Sequence, residues 1–164
     1  MNPKYGSFKE RLKDKYEGPY SATDIIIRYN DGQKDGIVLI ERKYPPFGLA
    51  WPGGIAEKMH LYENAIKEAK EETGLDVILD NINCPLCVLS DPQQDPRAFI
   101  SSTTYTGVGY GILKPHQDED AKSARIFTLD KLAQLYSQEK QWAFPNHHRN
   151  ILEIYLEKVG YNGR

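Results

Sequence analysis

The sequence predicts one α+β domain, or an α/β/α sandwich, built on a mixed β-sheet. Three observations predict this class. Apolar, β-branched segments bounded by turn residues recur along the chain, a few segments have helical periodicity, and the two kinds do not follow strict βαβ alternation. With 164 residues and no internal repeat or linker-like tract, the chain fits a single domain.

Two strands open the predicted domain. Residues 20–29 and 36–43 are rich in β-branched and aliphatic side chains, and the turn at 30–32 predicts that they pair antiparallel. The proline- and glycine-rich segments 44–48 and 52–54 are expected to interrupt regular structure. Further strands are predicted at 77–79, 86–90, 99–105 and 125–128.

Helices are predicted at three places. The first covers residues 61–73, and Gly74 follows at the position where a left-handed residue ends a helix. The other two are predicted at about 129–138 and 146–159. Residues 1–19 are charged and are expected to form an N-terminal arm, followed by the domain at 20–164.

Composition excludes several classes of function. The net charge of −2 argues against a nucleic-acid-binding protein, which needs a basic surface. No apolar run approaches the roughly 18–20 residues that span a bilayer, so no membrane association is expected. Two cysteines are too few for the disulfide framework of a secreted domain, and we therefore expect a cytoplasmic protein.

The helix at 61–73 concentrates acidic residues on one face. At 100° per residue, Glu68, Glu71 and Glu72 lie within an arc of about 100°, beside an apolar stripe. Such carboxylates repel one another, and oxygen ligands of this kind suit Mg²⁺ or Mn²⁺. The alternative is a solvated helix stabilised by pairs such as Lys67–Glu71.

The loop before this helix favours the metal-binding interpretation. Gly53 and Gly54 follow Pro52, and glycine allows backbone to approach a ligand closely because it has no Cβ atom. A further acidic residue, Glu57, lies between the glycines and the helix. Glycine loop and acidic helix together predict a site for a metal-bound diphosphate.

These residues resemble the Nudix family, whose sequence box is G-x5-E-x7-R-E-U-x-E-E-x-G-U, with U a bulky aliphatic residue. Residues 67–75 (KEAKEETGL) match its second half and residues 53–57 (GGIAE) its first. Similarity extends over roughly residues 20–155 and is closest to the small ADP-ribose pyrophosphatase branch. In that branch a proline some sixteen residues beyond the box accompanies ADP-ribose specificity, and Pro92 lies near that place.

The resemblance implies a Nudix-type α/β/α sandwich that hydrolyses a nucleoside diphosphate derivative with Mg²⁺ or Mn²⁺. ADP-ribose would give AMP and ribose 5-phosphate. By position, Glu68, Glu71 and Glu72 would be catalytic metal ligands, with Glu68 a candidate general base. Gly53 would help to place the metal or a phosphate, and Gly54 would bind substrate. A homodimer is also expected, since proteins of this branch are commonly dimers.

The chain departs from the box at two places. The position of the first box glutamate holds Met59 or His60, depending on where a one-residue gap is placed, and Lys67 replaces the arginine. Lysine keeps the charge but lacks the bidentate fork of arginine. Two alternatives follow: a domain that binds ADP-ribose without cleaving it, or a Nudix hydrolase of another nucleotide.

Residues outside the box complete the predicted site. Arg42 and Arg97 are candidates to bind the diphosphate or a ribose phosphate, although Arg97 could instead pair with Asp95. Glu119, within the acidic segment 118–120, is the loop candidate for the general base, and a solvated acidic turn is the alternative.

Three further groups are assigned structural roles from the sequence. His147 and His148 are expected to cap the last helix or lie on the surface. A single Cys-x-x-Cys pair is a weak zinc signal, so buried structural thiols are expected. The aromatic residues near the glycine loop could stack on adenine or serve the core or an interface; they are Tyr44, Phe47 and Trp51.

Overall fold

A computed structural model describes Leu12, Tyr16 and residues 18–115 and 120–162. The predicted N-terminal arm, residues 1–19, therefore lies mostly outside the described residues. None of the helices in the described part is long and apolar enough to span a membrane.

A mixed β-sheet of eight strands forms the centre of the molecule. Its main path runs β3-β2-β1-β7-β5, with β4 added to β1, β6 to β7 and β8 to β2. The pair β1–β7 is parallel and the others are antiparallel. The strands are β1 (Tyr20–Asn30), β2 (Asp35–Arg42), β3 (Leu49–Ala50), β4 (Gly53–Ile55), β5 (Asp76–Leu79), β6 (Cys87–Leu89), β7 (Ile100–Tyr110) and β8 (Ala121–Phe127).

Among residues 18–115 and 120–162, three α-helices and one 3₁₀ turn cover the two faces of the sheet, which confirms the predicted α/β/α sandwich. Helix α1 packs on one face, and α2 and α3 pack on the other. The elements are α1 (Leu61–Thr73), α2 (Leu129–Tyr136), the 3₁₀ turn (Glu139–Gln141) and α3 (Pro145–Lys158).

Alternation along β1 divides the core between the two faces. Ile25, Ile27 and Tyr29 pack against α1, whereas Ile26 packs with α2 and α3. Each of the three isoleucines is fully buried, which contributes about 1.5–3 kcal/mol per side chain. The same two-residue period places Thr23 on the α1 face and Asp24 on the α3 face, and this separation determines the chemistry described below.

The structure confirms the pairing of β1 with β2 but corrects several strand bounds. Strand β7 continues past its predicted end because it pairs with β1 in parallel as far as Val108 and with β5 as far as Tyr110. Local sequence does not reveal either partner. Strand β8 begins earlier than predicted, at Ala121. Strand β3 lies between the two segments expected to break regular structure, and β4 begins inside the second of them. Both strands are too short to show a period of two.

Helix α1 has the predicted bounds. Gly74 has φ 77° and donates its amide hydrogen to the carbonyl of Lys70, as a left-handed terminal residue does. A Cβ atom at Gly74 would also overlap the carbonyl oxygen of Lys114. At the other end, a carboxylate oxygen of Glu63 accepts the backbone N–H of His60 at 3.2 Å.

Candidate functional site

A cleft opens where the glycine strand and the start of α3 meet the central sheet, and the acidic helix reaches its wall through the bond between Glu72 and Gly53. Its walls come from β1, the end of β2, β4, the segment before β7 and the first turn of α3. Four predicted site residues line the cleft, together with Asp120; the four are Arg42, Gly53, Gly54 and Arg97.

Glu72 is the most enclosed carboxylate of α1. Its side chain is buried, and one carboxylate oxygen accepts the backbone N–H of Gly53 at 2.8 Å. Burial raises the pKa of Glu72 well above its ordinary value, the Gly53 amide opposes this, and the nearby charge of Glu68 adds to it. A buried, ionised Glu72 would therefore be stabilised by a cation.

Lys67 forms ion pairs with three other carboxylates on or near the helix. Its ammonium lies 2.9 Å from Glu71, 3.3 Å from Glu57 and 3.5 Å from Glu68. The bond to Glu71 is the main reason that the pKa of Lys67 is raised. Lys67 thus acts as a positive counter-charge where the family box has arginine, and Glu57 supplies it with a carboxylate from outside the helix.

The glycine strand lies directly against the acidic helix. A Cβ atom at Gly54 would meet the Glu68 carboxylate at 2.7–3.0 Å, and one at Gly53 would overlap the carbonyl oxygen of Thr23. Asn64 fixes the same junction. Its amide nitrogen donates to the hydroxyl of Thr23 at 2.8 Å, and its oxygen accepts the N–H of Glu57 at 3.3 Å.

These oxygen donors fit a hard divalent cation. Glu68 and Glu72 are neighbouring carboxylates in a desolvated place, and the ammonium of Lys67 already provides positive charge beside Glu68. The carboxylates of Glu68, Glu71 and Glu72 are not, however, among the described groups whose ligand atoms lie within 4.8 Å of one another. The structure brings Glu68 and Glu72 towards Gly53 and Gly54, whereas Glu71 is directed to Lys67.

Arg42 presents a buried guanidinium to the cleft. It is only 8% exposed, its Nε donates to the carbonyl of Pro46 at 2.9 Å, and no carboxylate in the described part forms an ion pair with it. Burial lowers the pKa of Arg42, and the positive charge of Arg97 lowers it further. Its remaining donors are suited to an anion.

Arg97 forms the ion pair with Asp95 that the sequence offered as the alternative to phosphate binding. It makes a two-pronged ion pair with Asp95 at 2.8 and 3.0 Å, and it also lines the cleft. Burial alone would raise the pKa of Asp95, but the bonds from Arg97 lower it overall. Arg97 and Arg42 both lie over the ring of Phe144, at 4.9 and 5.2 Å from its centre.

The predicted loop base lies outside the described residues. Glu119 belongs to the segment 116–119, which the structure does not describe. Asp120, the next residue, lines the cleft with Arg42.

The histidine prediction was wrong. His147 and His148 are 7% and 3% exposed and line the cleft instead of lying on the surface. Nε2 of His147 lies 2.8 Å and Nε2 of His148 lies 3.4 Å from the carboxylate of Asp24, whose other neighbour is the hydroxyl of Ser102 at 2.5 Å. Nothing local could predict this, because Asp24 and His147 are 123 residues apart.

The charge of Asp24 is well supported in spite of its burial. Burial alone would raise the pKa of Asp24, but the two histidines outweigh it and lower the pKa below its ordinary value. Burial lowers the pKa of His148, while its contact with Asp24 opposes this. The cluster is therefore one buried carboxylate surrounded by three donors.

The remaining aromatic and thiol residues divide between core and surface. Trp51 belongs to the core and donates its indole N–H to the carbonyl of His148 at 3.0 Å, whereas Tyr44 and Phe47 are exposed. The expected buried thiols are not found. Cys84 is exposed and Cys87 is half-buried.

Comparison with known proteins identifies relatives of the same architecture. The NUDIX domain ADP-ribose complex of NrtR from Shewanella oneidensis has a TM-score of 0.68 at 17% identity, covering 92% of this chain and 98% of that one. An ADP-ribose pyrophosphatase from Streptococcus suis has a TM-score of 0.64 at 21% identity, covering 88% and 95%.

A third solved structure is similar over part of its length. The bifunctional NMN adenylyltransferase/ADP ribose pyrophosphatase from Francisella tularensis, complexed with AMP and a Mn ion, has a TM-score of 0.66 at 21% identity. The match covers 95% of this chain and 46% of that one. No curated protein sequence matches the chain.

The family model for the NUDIX domain matches residues 19–152, which is most of the chain. This span contains the whole sheet, helix α1 with its glycine strand, and the cleft. The sequence motif, the fold and the family model therefore agree that this chain belongs to the Nudix family.

Proposed function

We propose that the protein is a Mg²⁺- or Mn²⁺-dependent pyrophosphatase that cleaves ADP-ribose, or a related nucleoside diphosphate derivative, into AMP and ribose 5-phosphate. The observation that carries the proposal is the buried Glu72 carboxylate, which accepts the N–H of Gly53 and lies close to the negative charge of Glu68. The positive charge of Arg42, which lines the cleft together with Gly53, also acts on Glu72. Opposed negative and positive groups are what a metal-bound diphosphate requires.

The roles of the residues follow from their positions. Glu72 and Glu68 would hold the divalent cation, with Gly53 fixing the orientation of the Glu72 carboxylate through its amide. Such a cation neutralises phosphate charge and acidifies a bound water. Glu71, which pairs with Lys67, would complete the ligand set once the cation competes with the ammonium.

The two arginines would bind the substrate from the other side. Arg42 has donors free of ion pairs in the described part, and Arg97 supplies a second guanidinium about as close to the ring of Phe144. Two guanidinium groups beside the same aromatic ring suit the oxygens of a diphosphate. Gly54, which has no Cβ atom, would leave room for substrate beside Glu68.

Hydrolysis adds one water across the diphosphate bond. Water attacks one phosphorus, the bridging oxygen leaves with the other phosphate, and a base accepts the proton of the water. Glu68 and Glu119 are the candidates for this base. Asp120 lines the cleft beside Arg42, and this supports a role for its neighbour Glu119.

The first test is AMP release from ADP-ribose in the presence of Mg²⁺ or Mn²⁺, compared between wild type and Glu72→Gln. Loss of the charge should lower the rate by a factor on the order of 10² or more, because the cation loses a ligand. Glu63→Gln is the matched control. It makes the same chemical change on the same helix at an exposed residue, and glutamine can still accept the His60 N–H.

The alternative is a domain that binds ADP-ribose without cleaving it. The replacement of the box arginine by Lys67, and the similarity to a Nudix domain complexed with ADP ribose, favour testing it. Calorimetric binding of ADP-ribose with no AMP release from wild type would support this alternative. Turnover of a different nucleotide in a substrate panel would support the proposed hydrolase activity and change only the proposed substrate.

We also propose a homodimer located in the cytoplasm. Tyr20 at the start of β1 and Ile55 on β4 are exposed apolar side chains on neighbouring strands, and they offer a surface for a second copy. Light scattering on the full chain measures the oligomeric state. A monomer at micromolar concentration would contradict the proposed dimer and leave the proposed chemistry unaffected.

A further inference from the structure

A second, nitrogen-containing cluster of ligand-type side chains lies in the cleft. Asp24, His147 and His148 are all buried, and each offers one ligand atom within 4.8 Å of the others. In the described part of the chain, this is the one group of three or more His, Cys, Asp or Glu residues whose ligand atoms lie this close together. It is chemically unlike the glutamates of α1, which offer only oxygen.

The backbone around the cluster is rigidly supported. Asp24 lies within β1, with Thr104 of β7 opposite it on one side and Gly53 of β4 on the other. His147 and His148 are in the first turn of α3, and the indole of Trp51 holds the carbonyl of His148. Because both supports are regular structure, the three side chains do not depend on a flexible loop for their positions.

Protein groups do not saturate the cluster. Nδ1 of His147 and Nδ1 of His148 are buried and have no hydrogen-bond partner among the described residues. With a proton on Nε2, each ring donates to Asp24 and leaves a buried lone pair at Nδ1, which is costly. If Nε2 binds a cation, each ring proton moves to the unpartnered Nδ1, and the cation replaces the bonds from Nε2 to Asp24. The close approach of the three ligand atoms is therefore the observation that suits a cation.

The distances suit a small tetrahedral ion. Ligand atoms bound to zinc at 2.0–2.1 Å lie about 3.3 Å apart. The two observed separations between histidine Nε2 and the Asp24 carboxylate, 2.8 and 3.4 Å, are on either side of that value. Two imidazoles and a carboxylate are ligands that suit zinc, whereas Mg²⁺ is bound mainly by oxygen.

We propose that Asp24, His147 and His148 form a second metal site, which binds one divalent transition-metal ion of the zinc class. The three protein ligands leave a fourth position directed to the cleft, where water or a substrate oxygen could bind. The site is separate from the carboxylate site, because Asp24 and Thr23 project to opposite faces of β1 and α1 packs on the Thr23 face. It does not depend on the proposed pyrophosphatase activity.

The test uses the full chain, stripped with a chelator and then dialysed against Co²⁺ or Zn²⁺ alone. Co²⁺ in a four-coordinate site with nitrogen ligands absorbs visible light much more strongly than six-coordinate Co²⁺ on oxygen ligands. We expect this strong absorption from wild type, with one equivalent of Zn²⁺ displacing it. The Glu71→Gln/Glu72→Gln double variant should keep the signal, since its changes affect only the carboxylate site.

The matching double variant is His147→Gln/His148→Gln. It should weaken Zn²⁺ binding on the order of 100-fold or more, because two ligands are lost. Zn²⁺ should also raise the melting temperature of wild type but not of this variant. If the variant does not fold, the wild-type spectrum still decides. A weak six-coordinate Co²⁺ spectrum, or Zn²⁺ binding that disappears with the glutamates, would overturn the proposal.

Discussion

Two buried carboxylates near the glycine strand have opposite electrostatic environments. Asp24 is 7% exposed and Glu72 is 2% exposed, yet the pKa of Asp24 is lowered and that of Glu72 is raised. Asp24 has three neighbouring donors, from Ser102, His147 and His148, whereas Glu72 accepts one backbone N–H, from Gly53, in the described part of the chain. Burial alone does not decide the charge of a carboxylate; the number of donors around it does.

The difference lies in how far groups of the protein already stabilise each carboxylate as an anion. Asp24 is satisfied as an anion by groups of the protein, so its removal should harm folding. Glu72 is poorly satisfied as an anion, so its charge is available for a cation that binds later. A protein commonly accepts such a local cost where a ligand will offset it.

Isosteric neutral variants give the largest expected contrast. Asp24→Asn should lower the free energy of unfolding by about 3 kcal/mol, because buried imidazoles lose a charged acceptor. Glu72→Gln should leave metal-free stability unchanged or slightly higher, since glutamine still accepts the Gly53 N–H. Urea unfolding in the presence of a chelator measures both. Equal destabilisation of the two variants would contradict the comparison.

The two glycines of β4 provide the next contrast. Gly53→Ala should impair folding, because its Cβ atom would overlap the backbone of Thr23, which cannot move within the sheet. Gly54→Ala meets only the end of the Glu68 side chain, which can rotate away. We therefore expect Gly54→Ala to fold and to lose roughly ten-fold in activity, about 1.4 kcal/mol. Thermal melts and AMP release separate the two effects.

Lys67→Gln tests the counter-charge on the acidic helix. Without Mg²⁺, loss of the ammonium should lower the free energy of unfolding by about 0.5 kcal/mol, the usual contribution of a partly exposed i,i+4 pair. Saturating Mg²⁺ should remove most of this difference, because the metal would neutralise the same carboxylates. If Mg²⁺ leaves the difference unchanged, Lys67 and the metal do not share ligands.

Asp80 serves as a reference carboxylate that is paired but not buried. A bond from Arg28 is the main reason that its pKa is lowered to about 2, burial opposes this, and a bond from Thr106 assists. The folded-state pKa is the lower one, so the stabilisation is present above about pH 4 and is lost as the pH falls through about 2. In Asp80→Asn, the free energy of unfolding should fall less steeply with decreasing pH than in wild type, and only between about pH 4 and pH 2. Stability measured by urea from pH 2 to 5 checks this expectation.

The sequence predicted the features that depend on local pattern. The helical period of the apolar residues predicts α1, and Gly74 predicts its end. The β-branched composition of two segments and the turn between them predict the β1–β2 pair. The glutamate and glycine segments were found together because they are close in the chain. The structure places them side by side, with Glu72 bonded to Gly53.

Features that depend on distant partners could not be predicted. Asn64 lies on the acidic face of α1 yet is fully buried, because its amide bonds to Thr23 across the glycine junction. His147 follows a helix start and resembles an exposed capping residue until β1 brings Asp24 beneath it. Strand β4 could not be predicted from the sequence because its glycines are also typical of a loop.

The ring of Phe144 has a consequence for changing what the cleft accepts. One aromatic side chain lies beneath both Arg42 and Arg97 and so sets the gap between their guanidinium groups. A variant at this single position would alter the spacing of two positive charges while leaving both arginines in the sequence. Phe144 is therefore the first position to randomise in a library that seeks to bind an anion with a different spacing of its charges, with the carboxylates of α1 unaltered.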